Sequence, residues 1–307
     1  MYNHRQIDFY ERKGIYELGM VKNIISSGRL SHGPWIGIFE EELAEYIGAP
    51  YVIATNSCTS ALYLALKYYK PNKVSIPSMT FGSVASAVLE NGIKLEFDDR
   101  YCVGHAYKLE GSDITDSAHE IYRDCYRPGT MCFSFYSTKN LSGADGGAIA
   151  TDDKDFYDWA QAAVNCGRDK IGYGYDICFP SLKYNMTNLQ AGILSDRLRN
   201  LDKELEIINL IVSSYNTHLD IYNTSNHLYT IKVYDRDSFM SYMKDNGIET
   251  SVHFKPLHQM TAFNKIKVHN KSKIDKKYEE IVSLPLHSNL SFSDVDYICD
   301  KVKKWRK

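Results

Sequence analysis

The sequence predicts an α/β protein whose large domain holds a mostly parallel sheet flanked by helices, followed by a smaller C-terminal α+β domain. Short β-forming runs alternate with helical or loop segments between Tyr51 and Thr151, as in parallel strands joined by crossover helices. A long amphipathic helix is predicted from Asn188 to Asn209, and shorter elements follow it. We place the domain boundary near residue 205, which gives domains of residues 1–205 and 206–307.

The individual elements follow from hydrophobic pattern and from the residues that end each segment. Apolar and β-branched runs predict strands, and amphipathic stretches closed by glycine predict helices. In the large domain we expect strands at Tyr51–Thr55, Val74–Pro77, Ile93–Phe97, Met131–Tyr136 and Ala148–Thr151, and helices at Thr59–Tyr69 and Phe81–Asn91. In the smaller domain we expect a strand at Leu228–Tyr234 and helices at Asp237–Asn246 and Asp294–Trp305.

Composition describes an ordinary globular protein. The chain has 307 residues, 44 % hydrophobic and 24 % charged, and its 36 basic and 38 acidic side chains give a net charge of −2. This balance indicates neither a nucleic-acid nor a membrane surface. The seven scattered cysteines lack a CxxC pair, which predicts free thiols and no zinc site. No window of about 18 apolar residues and no signal-peptide core occurs, so we expect a cytoplasmic protein.

Lys139 is the most informative single residue. It follows the apolar run Met131–Tyr136 and precedes a turn of small residues that leads into Ala148–Thr151. Burial would lower the pKa of such a lysine and make it a nucleophile toward carbonyl groups. The alternative is a surface lysine on a loop, which is the commoner setting for a lysine.

Other segments could complete a site around Lys139. Asn56–Thr59 stands between a strand and a helix, where free N–H groups can bind phosphate, although simple helix capping would use the same residues. The hydroxyl of Ser134 could serve the same phosphate, or it could bond to the backbone of its strand. Asp116 ends a short strand and could hold a proton on a pyridine nitrogen, or cap the next turn. Phe81 could stack on a flat ring, or belong to the core.

In this order the segments resemble the DegT/DnrJ/EryC1/StrS family of sugar aminotransferases, which have the type I fold of pyridoxal-phosphate enzymes. The resemblance runs over nearly the whole chain. It rests on Gly33-Pro34 with Phe39–Gly48, Ser57–Leu66, Pro77–Ser83, Asp116–His119, Phe133–Gly147, Met186–Ala191, Ser251–His258 and Leu284–His287.

The resemblance implies a role for each matched residue. Lys139 matches the lysine that holds pyridoxal 5'-phosphate covalently and moves protons during the reaction, and Asp116 matches the partner of the ring nitrogen. His119 matches a polar contact near the ring hydroxyl, and Phe81 the stacking aromatic. The phosphate contacts are matched by Cys58, Thr59 and Ser134, although relatives usually carry glycine at the position of Cys58.

The resemblance also implies the reaction and the partners. We expect transfer of an amino group from an amino-acid donor, usually L-glutamate, to a keto-sugar nucleotide, in a homodimer with shared active sites. A dehydratase branch of the family carries histidine in place of the lysine, so Lys139 favours transamination. Two alternatives stay open: a non-catalytic or regulatory protein that keeps the fold, and a dehydratase.

Two departures from the family pattern affect these expectations. Relatives commonly read Asn-Tyr-Arg-Met before the long helix and supply the Asn and Arg to the neighbouring subunit, whereas this chain reads Lys183-Tyr-Asn185-Met. We expect Lys183 to reach the partner's cofactor site and Asn185 to contact substrate. We also expect His253 and His258 to contact substrate, although both histidines could equally be hydrogen-bonded loop residues.

The second departure is length, because only sixteen residues separate Asp99 from Asp116. A parallel crossover normally needs a dozen or more residues with a helix. We therefore expect a shortened family member that lacks a helix here and is also trimmed at Asn216–Asn226.

Overall fold

A computed structural model describes residues 6–10, 14–171 and 173–305. The helices of these ranges are α1 (Leu18–Ser26), α2 (Trp35–Ile47), α3 (Cys58–Tyr69), α4 (Gly82–Glu90), α5 (Lys154–Ala163), α6 (Asn188–Leu198), α7 (Leu201–Leu219), α8 (Arg236–Asp245), α9 (Lys271–Glu280) and α10 (Phe292–Trp305). The strands are β1 (Tyr51–Thr55), β2 (Lys73–Pro77), β3 (Lys94–Asp98), β4 (Tyr107–Lys108), β5 (Ile114–Asp116), β6 (Thr130–Ser134), β7 (Gly147–Thr151), β8 (Arg168–Ile171), β9 (Gly174–Ile177), β10 (Tyr229–Lys232) and β11 (Ile281–Leu284).

The central sheet contains both parallel and antiparallel strand pairs, but most of its strands run in the same direction. Its order is β1-β7-β6-β5-β4, and β7 is antiparallel to both β1 and β6, whereas β5 and β6 are parallel. The segment after β4 pairs antiparallel with β2 through Ser75 and Glu110, and β2 is parallel to β3. Strands β1, β2, β3, β5 and β6 therefore run one way and β4 and β7 the other, which confirms the predicted fold class.

The shortened stretch between Asp99 and Asp116 contains no helix, and all of its residues are described. The chain runs back along the sheet edge as β4, antiparallel to β5, and then turns at Gly111. Gly111 has a φ of +92°, and a Cβ there would lie 2.5 Å from the carbonyl oxygen of Lys73. An antiparallel return needs only a tight turn, which explains how the sheet stays continuous without a crossover helix.

Both faces of the sheet are covered by helices, as the sequence predicts. Successive residues of β7 enter different cores: Ala148 and Ala150 pack in the cluster that includes α2, α6 and α7, whereas Ile149 packs with α3, α4 and α5. This alternation is that of a strand buried on both sides. Within the described ranges, no helix is both long and apolar enough to cross a membrane.

The predicted helix at Asn188–Asn209 is instead two helices, α6 and α7. The break falls at Arg199 and Asn200, where the Asn200 side chain donates to the Asp196 carbonyl oxygen at 3.1 Å. The two helices serve different neighbours, because α6 packs on α2 and α1 and α7 packs on α10. Strand β6 also ends at Ser134, two residues before the predicted end. Helix α7 runs through residue 205, and the domain boundary there stays a prediction.

Candidate active site

The predicted cofactor residues follow the carboxyl ends of strands that run in one direction. Strands β1, β2, β5 and β6 end at Thr55, Pro77, Asp116 and Ser134. Parallel strands bring such ends to one edge of the sheet, which is where α/β proteins bind ligands. The local sequence therefore places the α3 turn, Phe81, Asp116 and Lys139 along the same edge.

Lys139 lies in the loop that connects β6 to β7. Its backbone N–H donates to the carbonyl oxygen of Tyr136 at 2.8 Å, and its side chain is partly buried. Burial lowers the pKa of Lys139 to about 8, although the nearby Asp116 and Cys58 act in the opposite direction. About a tenth of this amine is therefore neutral at pH 7, far more than of an ordinary lysine, as a carbonyl nucleophile requires.

Asp116 is the buried carboxylate of the site, with 5 % of its surface exposed. Burial raises the pKa of Asp116, and three groups oppose that rise: the N–H of Ala118, the hydroxyl of Tyr107 and the charge of Lys139. The Ala118 N–H donates to Asp116 Oδ1 at 2.9 Å. Asp116 and Lys139 thus form an interacting pair in which each favours the charge of the other.

The α3 N-terminus has the free backbone N–H groups that an anion site requires. Ser57 is the N-cap, and its hydroxyl accepts from the N–H of Ser60 at 3.2 Å. The N–H groups of Cys58 and Thr59 belong to the first turn, which has no intrahelical acceptors. The Cys58 thiol points inward and donates to the Cys132 carbonyl oxygen at 3.5 Å, so only the Cys58 backbone is available to an anion. Thr59 is exposed.

Gly147 allows this turn to approach the sheet. A Cβ on Gly147 would lie 2.4 Å from the backbone nitrogen of Cys58. Any larger residue would therefore push β7 away from the α3 N-terminus. The spacing between the anion site and the strand depends on this glycine.

Phe81 and Ser134 differ in exposure. The Phe81 ring is 64 % exposed at the start of α4, so it presents an open aromatic face. Ser134 is half-buried and borders a small cavity together with His119, His227 and Lys139. Ser134, His119 and Lys139 are thus brought together, as the sequence predicts.

His119 and His227 line the same small cavity as Lys139. The N–H of Gly104 donates to His119 Nδ1 at 3.3 Å, so a neutral His119 carries its proton on Nε2. Burial and the charge of Lys139 hold the pKa of His119 well below its usual value. His227 packs against His119 with ring centroids 4.8 Å apart. His119 is therefore a neutral donor at neutral pH.

His253 and His258 occupy different settings. Burial and then the charge of Lys139 lower the pKa of His253 to about 4, which places His253 beside the lysine. Its ring nitrogens contact the hydroxyls of Tyr10 (3.0 Å) and Ser283 (2.9 Å). His258 is 5 % exposed, and its nitrogens contact Ser78 Oγ (2.7 Å) and Asp275 Oδ1 (2.8 Å). The substrate contacts of both histidines stay predictions.

Lys183 and Asn185 lie beside the α3 turn of their own chain. Asn56 Nδ2 donates to the Lys183 carbonyl oxygen at 3.4 Å, and Asn185 forms a β-bridge with Thr55. The Lys183 ammonium is exposed and donates to Asn165 Oδ1 at 3.4 Å. The Asn185 Oδ1 atom is buried and has no hydrogen-bond partner in the part of the chain that the structure describes. Contact of Lys183 with a partner subunit stays a prediction.

Sequence reasoning missed Tyr107 and His227. Tyr107 reaches Asp116 only because β4 is antiparallel to β5, and the local sequence carries no signal for that direction. His227 follows the turn Asn223–Ser225 and comes close to His119 through tertiary packing alone. The glycine at position 147 could have been found, because small residues between a strand and a phosphate turn indicate close approach.

The residues present fit pyridoxal phosphate. The site offers an amine of lowered pKa, a buried carboxylate, an anion-binding helix N-terminus and an open aromatic ring, all at one sheet edge. The fold and this arrangement are those of a type I pyridoxal-phosphate enzyme.

The sequence model of the DegT/DnrJ/EryC1/StrS aminotransferase family matches residues 13–101 and 123–303. The chain therefore belongs to this family. The interruption at 102–122 includes the shortened stretch around β4, so the family match does not cover Asp116 and His119, and their roles stay predictions.

Proteins of similar sequence and structure agree with this family membership. The Bacillus subtilis spore coat polysaccharide biosynthesis protein SpsC is 28 % identical, and the alignment covers 94 % of each chain. That alignment spans 367 positions, more than the 307 residues here, so SpsC has residues without a counterpart.

Two solved structures show the same fold. One is Spr1654 of Streptococcus pneumoniae in its PLP-form, with a TM-score of 0.87, 22 % identity and 98 % of each chain covered. The other is the sugar aminotransferase CalS13 of Micromonospora echinospora, with a TM-score of 0.87, 18 % identity and 97 % and 99 % coverage of this chain and that one.

Proposed function

We propose that this protein uses pyridoxal phosphate to transfer an amino group from an amino acid, L-glutamate first among the candidates, to a keto-sugar nucleotide. The observation that supports this proposal most strongly is the pairing of Lys139, whose pKa is lowered to about 8, with the buried Asp116 at the carboxyl edge of the sheet. The sugar as acceptor class is supported by relatives that include a polysaccharide biosynthesis protein and a sugar aminotransferase.

We assign each residue the role that its setting supports. When bound, the cofactor supplies a carbonyl that accepts the amino group and a ring that withdraws electrons. Lys139 would hold it and would move a proton at the substrate carbon as general acid and base. Asp116 would hold a proton on the ring nitrogen. The α3 turn and Ser134 would bind the phosphate, Phe81 would cover one ring face, and neutral His119 would donate to the ring hydroxyl.

In this proposal the amino donor and the sugar acceptor bind at the face of the extended segment that carries the Lys183 and Asn185 side chains. The two residues stand two apart in an extended segment, which puts their side chains on one face. The buried Oδ1 of Asn185 lacks a hydrogen-bond partner among the described residues, and we assign it to a substrate hydroxyl or a group of the partner subunit that enters beside it. We include a homodimer in which Lys183 serves the partner's site.

An amino-transfer assay tests the reaction. Parent protein loaded with cofactor is supplied with L-glutamate and a panel of keto-sugar nucleotides, and the amino-sugar product is measured. Lys139→Ala should abolish product formation. Failure of every acceptor, with the cofactor bound, would exclude the proposed substrate class.

Subunit mixing tests the shared site. Lys139→Ala and Lys183→Ala proteins should each be inactive or weak alone. If sites are shared, random mixing restores about a quarter of parent activity, because half the dimers then contain one intact site of two. If Lys183 acts within its own chain, no mixed site is intact and activity is not restored.

A further inference from the structure

The shortened segment places a tyrosine directly opposite the site carboxylate. In the β4/β5 pair, Tyr107 is the register partner of Asp116, and Lys108 is the partner of Thr115. Opposed residues of an antiparallel pair project from the same face of the sheet. Tyr107 and Asp116 therefore share the buried face, where Tyr107 is 9 % exposed and packs in an apolar cluster.

A chain of hydroxyl groups ends at the carboxylate. The Thr80 Oγ1 and Tyr107 Oη atoms are 2.7 Å apart, and the Tyr107 hydroxyl faces Asp116 across the β4/β5 pair, where it lowers the pKa of that carboxyl. An ionised carboxylate only accepts, so in the proposed relay the single proton of Tyr107 points to Asp116. Thr80 must then donate to the Tyr107 oxygen. The relay thus has one direction, Thr80 to Tyr107 to Asp116.

This relay opposes the effect of burial on Asp116. Burial disfavours the carboxylate, and the Ala118 N–H supplies only one of the donors that offset it. Tyr107 supplies another, and burial together with the Asp116 charge holds the pKa of Tyr107 well above its usual value, so Tyr107 stays protonated. Thr80 directly precedes Phe81 in the chain, so the relay also connects the segment that carries the Phe81 ring with Asp116.

We propose that Tyr107 is a positioning residue that keeps Asp116 ionised and oriented, with Thr80 fixing the direction of the Tyr107 proton. The inference rests on the proposed function, in which Asp116 holds a proton on the cofactor's ring nitrogen. Its consequence is that the short antiparallel β4 contributes to the chemistry of this site through Tyr107.

The test compares hydroxyl deletions that keep side-chain shape. Tyr107→Phe and Thr80→Val each remove one hydroxyl of the relay, and Thr80→Ser restores it. Tyr215→Phe is the matched control, because the buried Tyr215 hydroxyl donates to the Pro285 carbonyl oxygen at 3.0 Å, outside the relay. All variants are prepared as holoenzyme with cofactor labelled with 15N at the ring nitrogen.

The ring-nitrogen chemical shift is followed against pH, and kcat and KM are measured in parallel. Tyr107→Phe should raise the pKa of Asp116 by about one unit, so the proton shared with the ring nitrogen moves toward the carboxylate and the nitrogen signal at neutral pH shifts toward its unprotonated value. The same change should lower kcat by about tenfold, with KM little changed. Thr80→Val should shift both in the same direction by less, and Thr80→Ser and Tyr215→Phe should match the parent.

A parent-like titration and kcat in both Tyr107→Phe and Thr80→Val would overturn the proposal. If Tyr107→Phe does not fold, the Thr80→Val and Thr80→Ser pair decides alone. Failure of the parent itself to bind the cofactor or to transaminate would contradict the proposed function instead, so the two failures are distinguishable.

Discussion

Replacing Lys139 by methionine should stabilise the cofactor-free protein. Lys139 titrates at about 8 in the folded state against 10.5 in the unfolded chain. This difference of about 2.5 units corresponds to about 3.4 kcal/mol against the folded protein when the amine is charged. Because the side chain is partly exposed, solvent screens part of this penalty, and we expect about 2 kcal/mol.

The sign of the pH dependence follows from the same two values. A base whose folded pKa is lowered is penalised in the folded state while it is charged, so the penalty is complete below pH 8. It decreases between pH 8 and 10.5 and vanishes above the unfolded pKa. The advantage of Lys139→Met over the parent should therefore be full at pH 7 and fall to less than about half by pH 9.5.

Urea unfolding followed by circular dichroism, at one protein concentration and at several pH values, measures this difference. Cofactor must first be removed, and its absence confirmed by absorbance, because bound ligand would stabilise only the parent. Lys244→Met, which removes an exposed lysine of α8, is the control and should show no such gain. Equal stability of Lys139→Met and parent at pH 7, or a difference that stays constant to pH 9.5, would refute the burial argument.

Three further predictions concern Gly147, with Gly37 as its control, Phe81 and His253. Gly147→Ala should destabilise the protein by about 1–3 kcal/mol in urea unfolding and weaken cofactor binding, because its Cβ would collide with the α3 N-terminus. Gly37→Ala, in an exposed and open position of α2, should instead be neutral or stabilising by up to about 1 kcal/mol. Phe81→Ala should raise the apparent dissociation constant of the cofactor by about tenfold in equilibrium dialysis, with unfolding nearly unchanged because the ring is exposed. The pKa of His253 is lowered from 6.5 to about 4, so stability is complete above pH 6.5 and falls on acidification, by about 2 kcal/mol at pH 5. His253→Gln should flatten this decline, and an unchanged slope would exclude His253 as its source.

The candidate residues at the sheet edge could be predicted because their signals are local. A strand followed by small or polar residues and a helix indicates a ligand-binding turn wherever the strand lies in the sheet. Lys139, Asp116 and the α3 turn each have this context, and the structure brings them to one edge. The absence of a helix before Asp116 could also be predicted from the sequence, because the sixteen residues between Asp99 and Asp116 leave little room for a crossover helix.

The remaining features depend on tertiary arrangement. The direction of β4, and with it the contact of Tyr107 with Asp116, is decided by which strand edge is free to pair. The division of α6 from α7 reflects two different packing partners, whereas apolar residues at helical spacing continue on both sides of Asn200. The burial of His258 between Ser78 and Asp275 likewise joins residues far apart in the sequence.

The absorbance of purified protein with added pyridoxal phosphate tests the central claim most directly. A near-visible band should form in the parent, be absent in Lys139→Ala and persist in Lys244→Met. L-glutamate, or another amino donor, should then bleach the parent band. A parent protein that stays colourless after cofactor addition, or a band that survives Lys139→Ala, would contradict the assignment of Lys139 as the residue that binds the cofactor.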